Sequence, residues 1–250
     1  SIMVWRAVLH LIGTVAVISI AASILAAMNL GGPGIHKSRF FTIPEGSFFD
    51  TMPRIIRVTS GVILFCVCVL AGALLLAGVP PREALSDAVS VMSTGLVDPH
   101  ADSAAPSGGI IHASILVIGL ALGSLGLVIL DLMQRGRFAE IFRDPEVVAF
   151  GGTLVCITIL AFFAGLPIQE SLGWALSALS TSGIALSDPE RLHRLPFLLL
   201  LLPPLIGGAA LSAAGGIKLA RLIVLTKRVM MEFSQLGYRG SIQTFTFRGR

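Results

Sequence analysis

Two short polar segments have the residues that a backbone needs to bind a cation. Ser93-Thr94-Gly95 and Ser180-Thr181-Ser182-Gly183 each follow a stretch that opens on proline and carries a glutamate near its start. Carbonyl and hydroxyl oxygens can replace the water shell of a cation, and glycine lets the backbone approach it without a side chain in the way. These residues therefore indicate the binding and passage of an ion.

The two segments are the ends of an internal repeat. Residues 77–94 recur 87 positions later as 164–181, with Ala, Gly, Pro, Glu, Leu, Ala, Ser, Ser and Thr at the same places. Each copy follows a long apolar run, so the repeated unit is a membrane helix, a sharp turn, a short half-helix and a polar strand. This layout predicts a re-entrant pore loop; a pair of amphipathic turns on the membrane surface is the alternative.

The composition places the chain in a membrane. Hydrophobic residues make up 54% of its 250 residues and charged residues 13%, whereas ordinary soluble domains carry about 25% charged residues. The apolar runs 7–28, 58–79, 110–130 and 147–166 are each long enough to span a bilayer. The basic excess is small and clustered, so no nucleic-acid partner is expected. The sequence offers no nucleophile–base pair, phosphate loop or redox motif, which argues against an enzyme.

A further apolar segment, 195–225, is interrupted by a cluster of glycines. Glycine costs a helix about 1 kcal/mol relative to alanine, and non-helical backbone at membrane depth survives only where it is buried in protein or lines a water-filled cavity. We therefore predict a broken helix that faces a pore, with close packing of helices on small residues as the alternative. The predicted gate loop, 207–216, contains Gly207, Gly208, Ser212, Gly215 and Gly216.

Loop charges predict the orientation. Basic residues dominate the 29–57 connection and the C-terminal stretch, which places both in the cytoplasm. The loops after the two repeats are acidic or mixed, which places them outside, so residues 80–96 and 167–184 must enter and leave the membrane on the same side. Lys218 and Arg221 then lie at the cytoplasmic mouth. There they either shape the field of the gate, or contact a regulatory subunit, or only extend to the membrane interface.

Two histidines lie in or near the apolar helices. An ionisable group inside a membrane is a functional candidate by default. Neither His10 nor His112 has an acidic or cysteine companion at ligand spacing in the sequence. We interpret both as neutral, hydrogen-bonded histidines and expect no metal site at either.

Taken together, these features resemble the Trk/Ktr/HKT superfamily of potassium transporters, and most of all its bacterial TrkH-type membrane subunit. The resemblance covers nearly the whole chain, and its most specific motif is the glycine cluster with its exit Gly215-Gly216-Ile217-Lys218 and Arg221. The other segments that carry it are Trp5-Arg6 with Gly13, Gly31-Gly32, Pro53-Arg54-Ile55, the Ala-x-Ser-x-x-Ser-Thr patterns from Ala88 and Ala175, and Arg143-Asp144-Pro145-Glu146.

The resemblance implies an all-α membrane protein of repeated helix–pore loop–helix modules, with re-entrant half-helices and one broken gate helix. It implies a multi-pass subunit for potassium transport in the bacterial inner (plasma) membrane, with potassium held by backbone carbonyls and no covalent cofactor. It also implies contact with membrane lipid, a homodimer, and a cytoplasmic nucleotide-binding regulatory subunit of the TrkA type. The implied filter residues are Ser93, Thr94, Gly95, Leu96, Ser180, Thr181, Ser182, Gly183 and Ile184.

Members of this family surround one pore with four modules, and the match places two of them in this chain. By that match, residues 1–57 are the last helix of a first module and a cytoplasmic connection, and 58–134 are a pore module with its filter loop at 80–98. Residues 135–230 are a pore module with its filter loop at 167–188 and the gate loop, and 231–250 are a cytoplasmic connection. The missing modules would come from the rest of the protein or from a second chain.

The sequence departs from the family pattern at the filters and at the gate. The repeat register of 87 holds through Thr94 and Thr181 and then breaks. Either one residue is deleted and Gly95 is the filter glycine, or Leu96 has replaced that glycine. In the gate loop, Leu211 and Ala213 stand at positions where glycine and threonine are common in the family. A non-conducting structural membrane subunit derived from this fold is therefore the alternative function.

Overall fold

The regular structure is helical in every part of the chain that is described, which confirms the all-α prediction. The structure is a computed structural model, and it describes residues 2–27, 48–95, 109–125, 144–184, 186–187, 189–210 and 212–237. In chain order the helices are α1 (Ile2–Ala27), α2 (Phe48–Leu76), α3 (Pro81–Ser93), α4 (Gly109–Leu125), α5 (Pro145–Phe163), α6 (Ile168–Leu179), α7 (Pro189–Leu192), α8 (Phe197–Ile206) and α9 (Leu219–Gly237).

The helices have the lengths and surfaces of a membrane protein. Within the described residues, two helices are long and apolar enough to cross a bilayer, Ile55–Leu76 and Pro145–Phe163. Shorter apolar helices cover Trp5–Ile20, Gly109–Leu125 and Phe197–Ile206. Large apolar side chains face outward along these helices, as a lipid surface requires. Examples are Phe65, Leu76, Ile110, Phe163 and Phe197.

Helices α2 and α5 end earlier than predicted, because each is closed by a glycine turn. The predicted spans 58–79 and 147–166 included that turn. Gly78 and Gly165 have φ values of 84° and 107°, a conformation that favours glycine. The residue after each glycine donates its N–H to the carbonyl five residues earlier, at 3.1 and 3.2 Å. This closure satisfies carbonyls at the helix ends and turns the chain back toward the core.

The repeat produces two half-helices. Helices α3 and α6 begin directly after Pro80 and Pro167 and carry Glu83 and Glu170 in their first turns. They are 13 and 12 residues long, or about 20 Å, whereas a bilayer core is about 30 Å thick. Helix α3 packs against α1, α2 and α4, and helix α6 packs against α4, α5 and α8. The half-helices are therefore interior elements.

The predicted broken helix is present. Helix α8 ends at Ile206 and helix α9 begins at Leu219. The described residues between them have no helical structure, and we call residues 207–218 the glycine loop. Its carbonyl and N–H groups therefore need partners outside a helix, and these partners define the candidate site.

Candidate cation site

The two half-helices end in the same backbone conformation. Thr94 and Thr181 have φ values of 48° and 56°, in the left-handed region that residues other than glycine rarely adopt. The next residue, Gly95 or Ser182, donates its N–H to the carbonyl five residues earlier, at 3.1 Å in both copies. The repeat register therefore extends to Gly95 and Ser182. This register favours the alternative in which Leu96, which lies outside the described residues, corresponds to the filter glycine.

A serine of each half-helix donates a hydrogen bond to a carbonyl of the segment that follows, and we call this bond the serine clasp. Ser90 Oγ donates to the Gly95 carbonyl at 2.6 Å, and the corresponding Ser177 Oγ donates to the Ile184 carbonyl at 2.7 Å. The first bond joins residues that are five positions apart and the second joins residues that are seven positions apart. The loop that follows α6 is therefore longer than the loop that follows α3. Gly183 is exposed within the longer loop and has a φ of 67°.

Three of the predicted filter hydroxyls brace the backbone. Ser93 Oγ donates to the Val89 carbonyl at 2.7 Å, and Ser180 Oγ lies 3.0 Å from both the Ser177 carbonyl and Ser182 Oγ. All three serines are buried. Their hydroxyls therefore hold the ends of the half-helices in place.

The glycine loop is closed at its neck by backbone hydrogen bonds. The N–H groups of Ile217 and Lys218 donate to the carbonyls of Leu205 and Ile206 at 2.9 and 3.1 Å. The N–H of Ala209 donates to a carbonyl near the end of α4, that of Ser124, at 2.8 Å. The two ends of the loop are thus hydrogen-bonded to each other's flanking residues, and the loop also contacts the end of α4.

Glycine is required where the two sides of the neck meet. Gly207 and Gly216 have φ values of 75° and 81°. A Cβ on Gly207 would lie 2.0 Å from the Gly215 carbonyl oxygen, and a Cβ on Gly216 would lie 2.8 Å from the Gly207 nitrogen. A Cβ on Gly208 would lie 2.6 Å from the Ser124 carbonyl oxygen. The predicted glycines therefore permit this close approach of backbone to backbone.

The glycine loop contacts both half-helix ends at equivalent threonines. Thr94 Oγ1 lies 3.1 Å from the Ala213 carbonyl oxygen and 2.8 Å from the Ser93 carbonyl oxygen, so its one hydroxyl proton is shared between these two acceptors. The Gly215 N–H donates to Thr181 Oγ1 at 2.8 Å. The two bonds to the loop join segments that are 119 and 34 residues apart in the sequence. The structure therefore brings the two Ser-Thr segments and the loop into one site.

A cavity of about 370 Å³ adjoins this site. It lies between α1, the end of α3 and the glycine loop, and its lining mixes apolar with polar side chains. The lining residues are Leu9, His10, Gly13, Thr14, Val17, Ile18, Ser93, Thr94 and Ala213. The cavity therefore adjoins both the first Ser-Thr segment and the glycine loop.

The two residues predicted at the cytoplasmic mouth take different positions. Lys218 has a φ of 75° and turns its side chain back into the glycine loop. Its Nζ donates to the carbonyls of Ser212, at 2.9 Å, and of Ala214. Arg221 lies exposed in the first turn of α9. Lys218 is thus an internal brace of the loop, and the interpretation that it only reaches for the interface is wrong.

His112 is hydrogen-bonded, as interpreted from the sequence, and its partner is an acidic residue that the sequence did not point to. His112 Nε2 lies 2.8 Å from Asp87 Oδ2, and both side chains are buried. Asp87 belongs to half-helix α3 and was not among the predicted site residues. Its sequence signal was an ionisable residue inside a stretch of small and apolar residues, but the partner lies 25 residues away.

Comparison with known proteins identifies the architecture. No family model matches the chain. The potassium uptake protein TrkH of Salmonella typhimurium is 25% identical and matches 100% of this chain and 54% of its own length. An uncharacterized cation transporter of Methanocaldococcus jannaschii is 25% identical, over 95% of this chain and 49% of its own length. The crystal structure of the potassium transporter TrkH from Vibrio parahaemolyticus has a TM-score of 0.80 at 22% identity, over 99% of this chain and 53% of that one.

The chain spans about half the length of the curated relatives that it matches. The match runs from one end of the sequence to the other, and the solved structure has the same fold at a TM-score far above the level of chance similarity. The resemblance stated from the sequence is therefore confirmed: this chain is similar, over its whole length, to about half of a Trk-type potassium transporter.

Proposed function

We propose that this chain forms part of the membrane subunit of a Trk-type potassium uptake system, in which cations pass the two Ser-Thr segments and are stopped at the glycine loop. The double contact of that loop carries the proposal. Thr94 and Thr181, at equivalent half-helix ends, bind residues Ala213 and Gly215 of the same loop. A segment tied to two filter positions at once lies where it can obstruct the path between them.

The half-helix dipoles favour a cation at this place. The carbonyl ends of α3 and α6 lie at the Ser-Thr segments, and a helix end of this kind is equivalent to about −0.5 elementary charge. Glu83 and Glu170 lie in the opposite, first turns, where a carboxylate is favoured. The bonded serines fix both ends, so the negative ends need no rearrangement when an ion arrives.

The ion and the partners are inferred from the relatives. The similar proteins carry the names potassium uptake protein and potassium transporter. We therefore propose potassium as the substrate, a bacterial inner membrane as the location, and a homodimer with a TrkA-type nucleotide-binding regulatory subunit. Two further pore modules complete the fourfold cation site in this proposal.

A non-conducting structural subunit is the second candidate, and one observation favours it. The shared backbone bonds extend the repeat register to Gly95 and Ser182, and at the same spacing of 87 residues the next position in the sequence is Leu96 in one copy and Gly183 in the other. A filter quarter with leucine in place of glycine has a side chain where the backbone would otherwise approach the ion. The two candidates differ in one measurable property, which is cation flux.

Uptake in cells that lack their own potassium uptake systems separates the candidates. The chain is expressed by itself and, in a second strain, in place of the matching half of TrkH from Vibrio parahaemolyticus. Growth at low potassium and rubidium uptake by the hybrid support transport. A hybrid that reaches the membrane in normal amount and takes up no rubidium supports the non-conducting candidate.

The variant Gly183→Ser tests the filter position in the conducting hybrid. Serine at a φ of 67° is strained by about 1–2 kcal/mol, which displaces the carbonyls that we place around the ion. We expect the preference for potassium over sodium to fall about 10-fold, because 1.4 kcal/mol corresponds to a factor of ten. Gly61→Ser is the control, since a Cβ there meets nothing within 4 Å. An unchanged preference at normal expression would remove Gly183 from the filter.

Cysteine labelling tests the re-entrant path. The native residues Cys66, Cys68 and Cys156 are first replaced by alanine. Single cysteines are then placed at Ser103 and Pro189, after the two half-helices. Both should react with a membrane-impermeant reagent from the same, outer side. Labelling from opposite sides would show that one of the two half-helix segments crosses the membrane.

A further inference from the structure

We propose that His112 and Asp87 are a positioning pair, which sets the orientation of half-helix α3 and thereby holds the first Ser-Thr segment, 93–95, in its ion-facing form. The transport consequence of this pair rests on the proposed function. The structural consequence does not, because the position of the segment can be measured without any ion flux.

The pair joins two elements in the interior. His112 Nε2 and Asp87 Oδ2 are 2.8 Å apart, and the two side chains are 0% and 5% exposed. Asp87 lies in the middle of α3 and His112 in the first turn of α4. A hydrogen bond to a carboxylate has a preferred direction, so it fixes the rotation of α3 about its axis as well as its distance from α4.

The contacts that follow Asp87 along α3 are tight. A Cβ on Gly119 would lie 2.8 Å from Val91 Cγ1, and a Cβ on Gly123 would lie 3.1 Å from the Val91 carbonyl oxygen. Thr14 Oγ1 of α1 donates to the Ser93 carbonyl at 3.2 Å. The backbone of α3 is therefore in close contact with α1 and α4 near its C-terminal end. The hydrogen bond between His112 and Asp87 holds the helix one turn before these contacts.

Ser90 connects the pair to the Ser-Thr segment. It lies three residues after Asp87, on a neighbouring part of the α3 surface. Its hydroxyl donates to the Gly95 carbonyl at 2.6 Å, and its own carbonyl accepts the Gly95 N–H at 3.1 Å. A rotation of α3 would displace Ser90 and with it both bonds that close the segment.

The other half-helix has an apolar residue at the position equivalent to Asp87. In the repeat register of 87, the position of Asp87 is taken in α6 by Trp174, which is buried at 8% exposure. The fold therefore accepts an apolar residue at this position. Because a buried polar pair usually stabilises a protein less than well-packed apolar residues do, the directional bond of the pair, and not its contribution to stability, is the property that we assign to it.

Hydrogen–deuterium exchange of the purified chain in lipid nanodiscs tests the pair. The variants are His112→Leu, the double variant Asp87→Leu/His112→Leu, and the exchanged pair Asp87→His/His112→Asp. Ser114→Ala, on the exposed face of α4, is the control. The readout is amide exchange in a peptide that covers 90–95, with the peptide 177–182 of the other repeat as the internal reference.

We expect exchange at 90–95 to accelerate about 10- to 100-fold in His112→Leu, which corresponds to the loss of one hydrogen bond to a charged group, while 177–182 stays unchanged. The double variant removes the carboxylate at position 87 together with its partner, so no carboxylate is left buried there without its histidine, and we expect it to keep the fold and to show the same local acceleration. The exchanged pair restores slow exchange, and the control changes neither peptide. Equal acceleration in both peptides, or slow exchange at 90–95 in the double variant, would overturn the proposal.

Rubidium uptake of the same variants in the hybrid transporter adds the functional readout. We expect the KM to rise several-fold in the double variant while the maximal rate is largely kept, and the exchanged pair to lower the KM again. An unchanged KM in a conducting hybrid would overturn the ion-facing role of the segment. If the parent hybrid does not conduct, the proposed function fails, and the exchange measurement alone decides whether the pair positions the segment.

Discussion

Removal of residues 211–214 is expected to raise rubidium flux by up to about 10-fold in the conducting hybrid, with the amount of protein in the membrane unchanged. The deletion takes away Ala213, which accepts from Thr94, and the two carbonyls that hold Lys218 Nζ. Of these three bonds, only the one from Thr94 ties the loop to a half-helix. One hydrogen bond contributes about 0.5–1.5 kcal/mol, and because 1.4 kcal/mol corresponds to a factor of ten, its loss shifts the equilibrium between blocked and open states by up to about tenfold.

The deletion leaves the rest of the site in place. The neck bonds from Ile217 and Lys218 to the end of α8 lie outside the deleted residues, as do the serine clasps of the half-helices. The shortened loop can therefore still join α8 to α9. Normal membrane insertion together with unchanged or abolished flux would show that the loop is a packing element and not an obstruction.

Lys218→Ala is a milder variant that tests the same loop as the deletion. It removes only the ammonium that ties the carbonyls of Ser212 and Ala214, and it keeps both threonine contacts. We expect it to raise flux less than the deletion does. A larger rise than in the deletion would mean that the charge of Lys218 repels the passing ion, and that the loop backbone is not the main barrier.

The parts of the fold that were predictable depend on local signals. The proline before each half-helix, the glycine after each preceding helix and the repeat spacing are all sequence-local, and the helices Pro81–Ser93 and Ile168–Leu179 lie where those signals placed them. The glycine cluster likewise predicted a break in 195–225, because four glycines in a short stretch make a helix costly.

The parts that were not predictable depend on contacts between distant residues. Nothing in the sequence pairs Asp87 with His112, since the pairing follows from the packing of α3 against α4. The repeat also suggested equal filter segments, whereas Ser90 and Ser177 close loops of different size. The position of the Lys218 side chain was also not predictable. It turns into the loop because Lys218 has a left-handed backbone conformation, which is uncommon for a residue other than glycine.

Gly216→Ala should lower the stability of the chain more than Gly215→Ala, where the atom nearest to a new Cβ is a threonine side-chain oxygen at 3.3 Å. The Cβ of Gly216→Ala would lie 2.8 Å from both the Gly207 nitrogen and the Pro204 carbonyl oxygen. Both are backbone atoms, which cannot rotate away as a flexible side chain could. The φ of 81° adds about 1–2 kcal/mol of strain for an L-residue, and forced overpacking adds about 1–3 kcal/mol.

The matched control for Gly216→Ala is Gly152→Ala, in the middle of helix α5, where a Cβ meets nothing within 4 Å. That change should be neutral or stabilise the helix by up to about 1 kcal/mol, because alanine is the better helix former. Thermal unfolding in detergent should show a fall of about 10 °C for Gly216→Ala, since 1 kcal/mol shifts the midpoint of a chain of this size by about 2–4 °C. Equal midpoints for the two variants would mean that the neck of the loop opens at little cost, and the loop could then not act as a closed barrier built from backbone contacts.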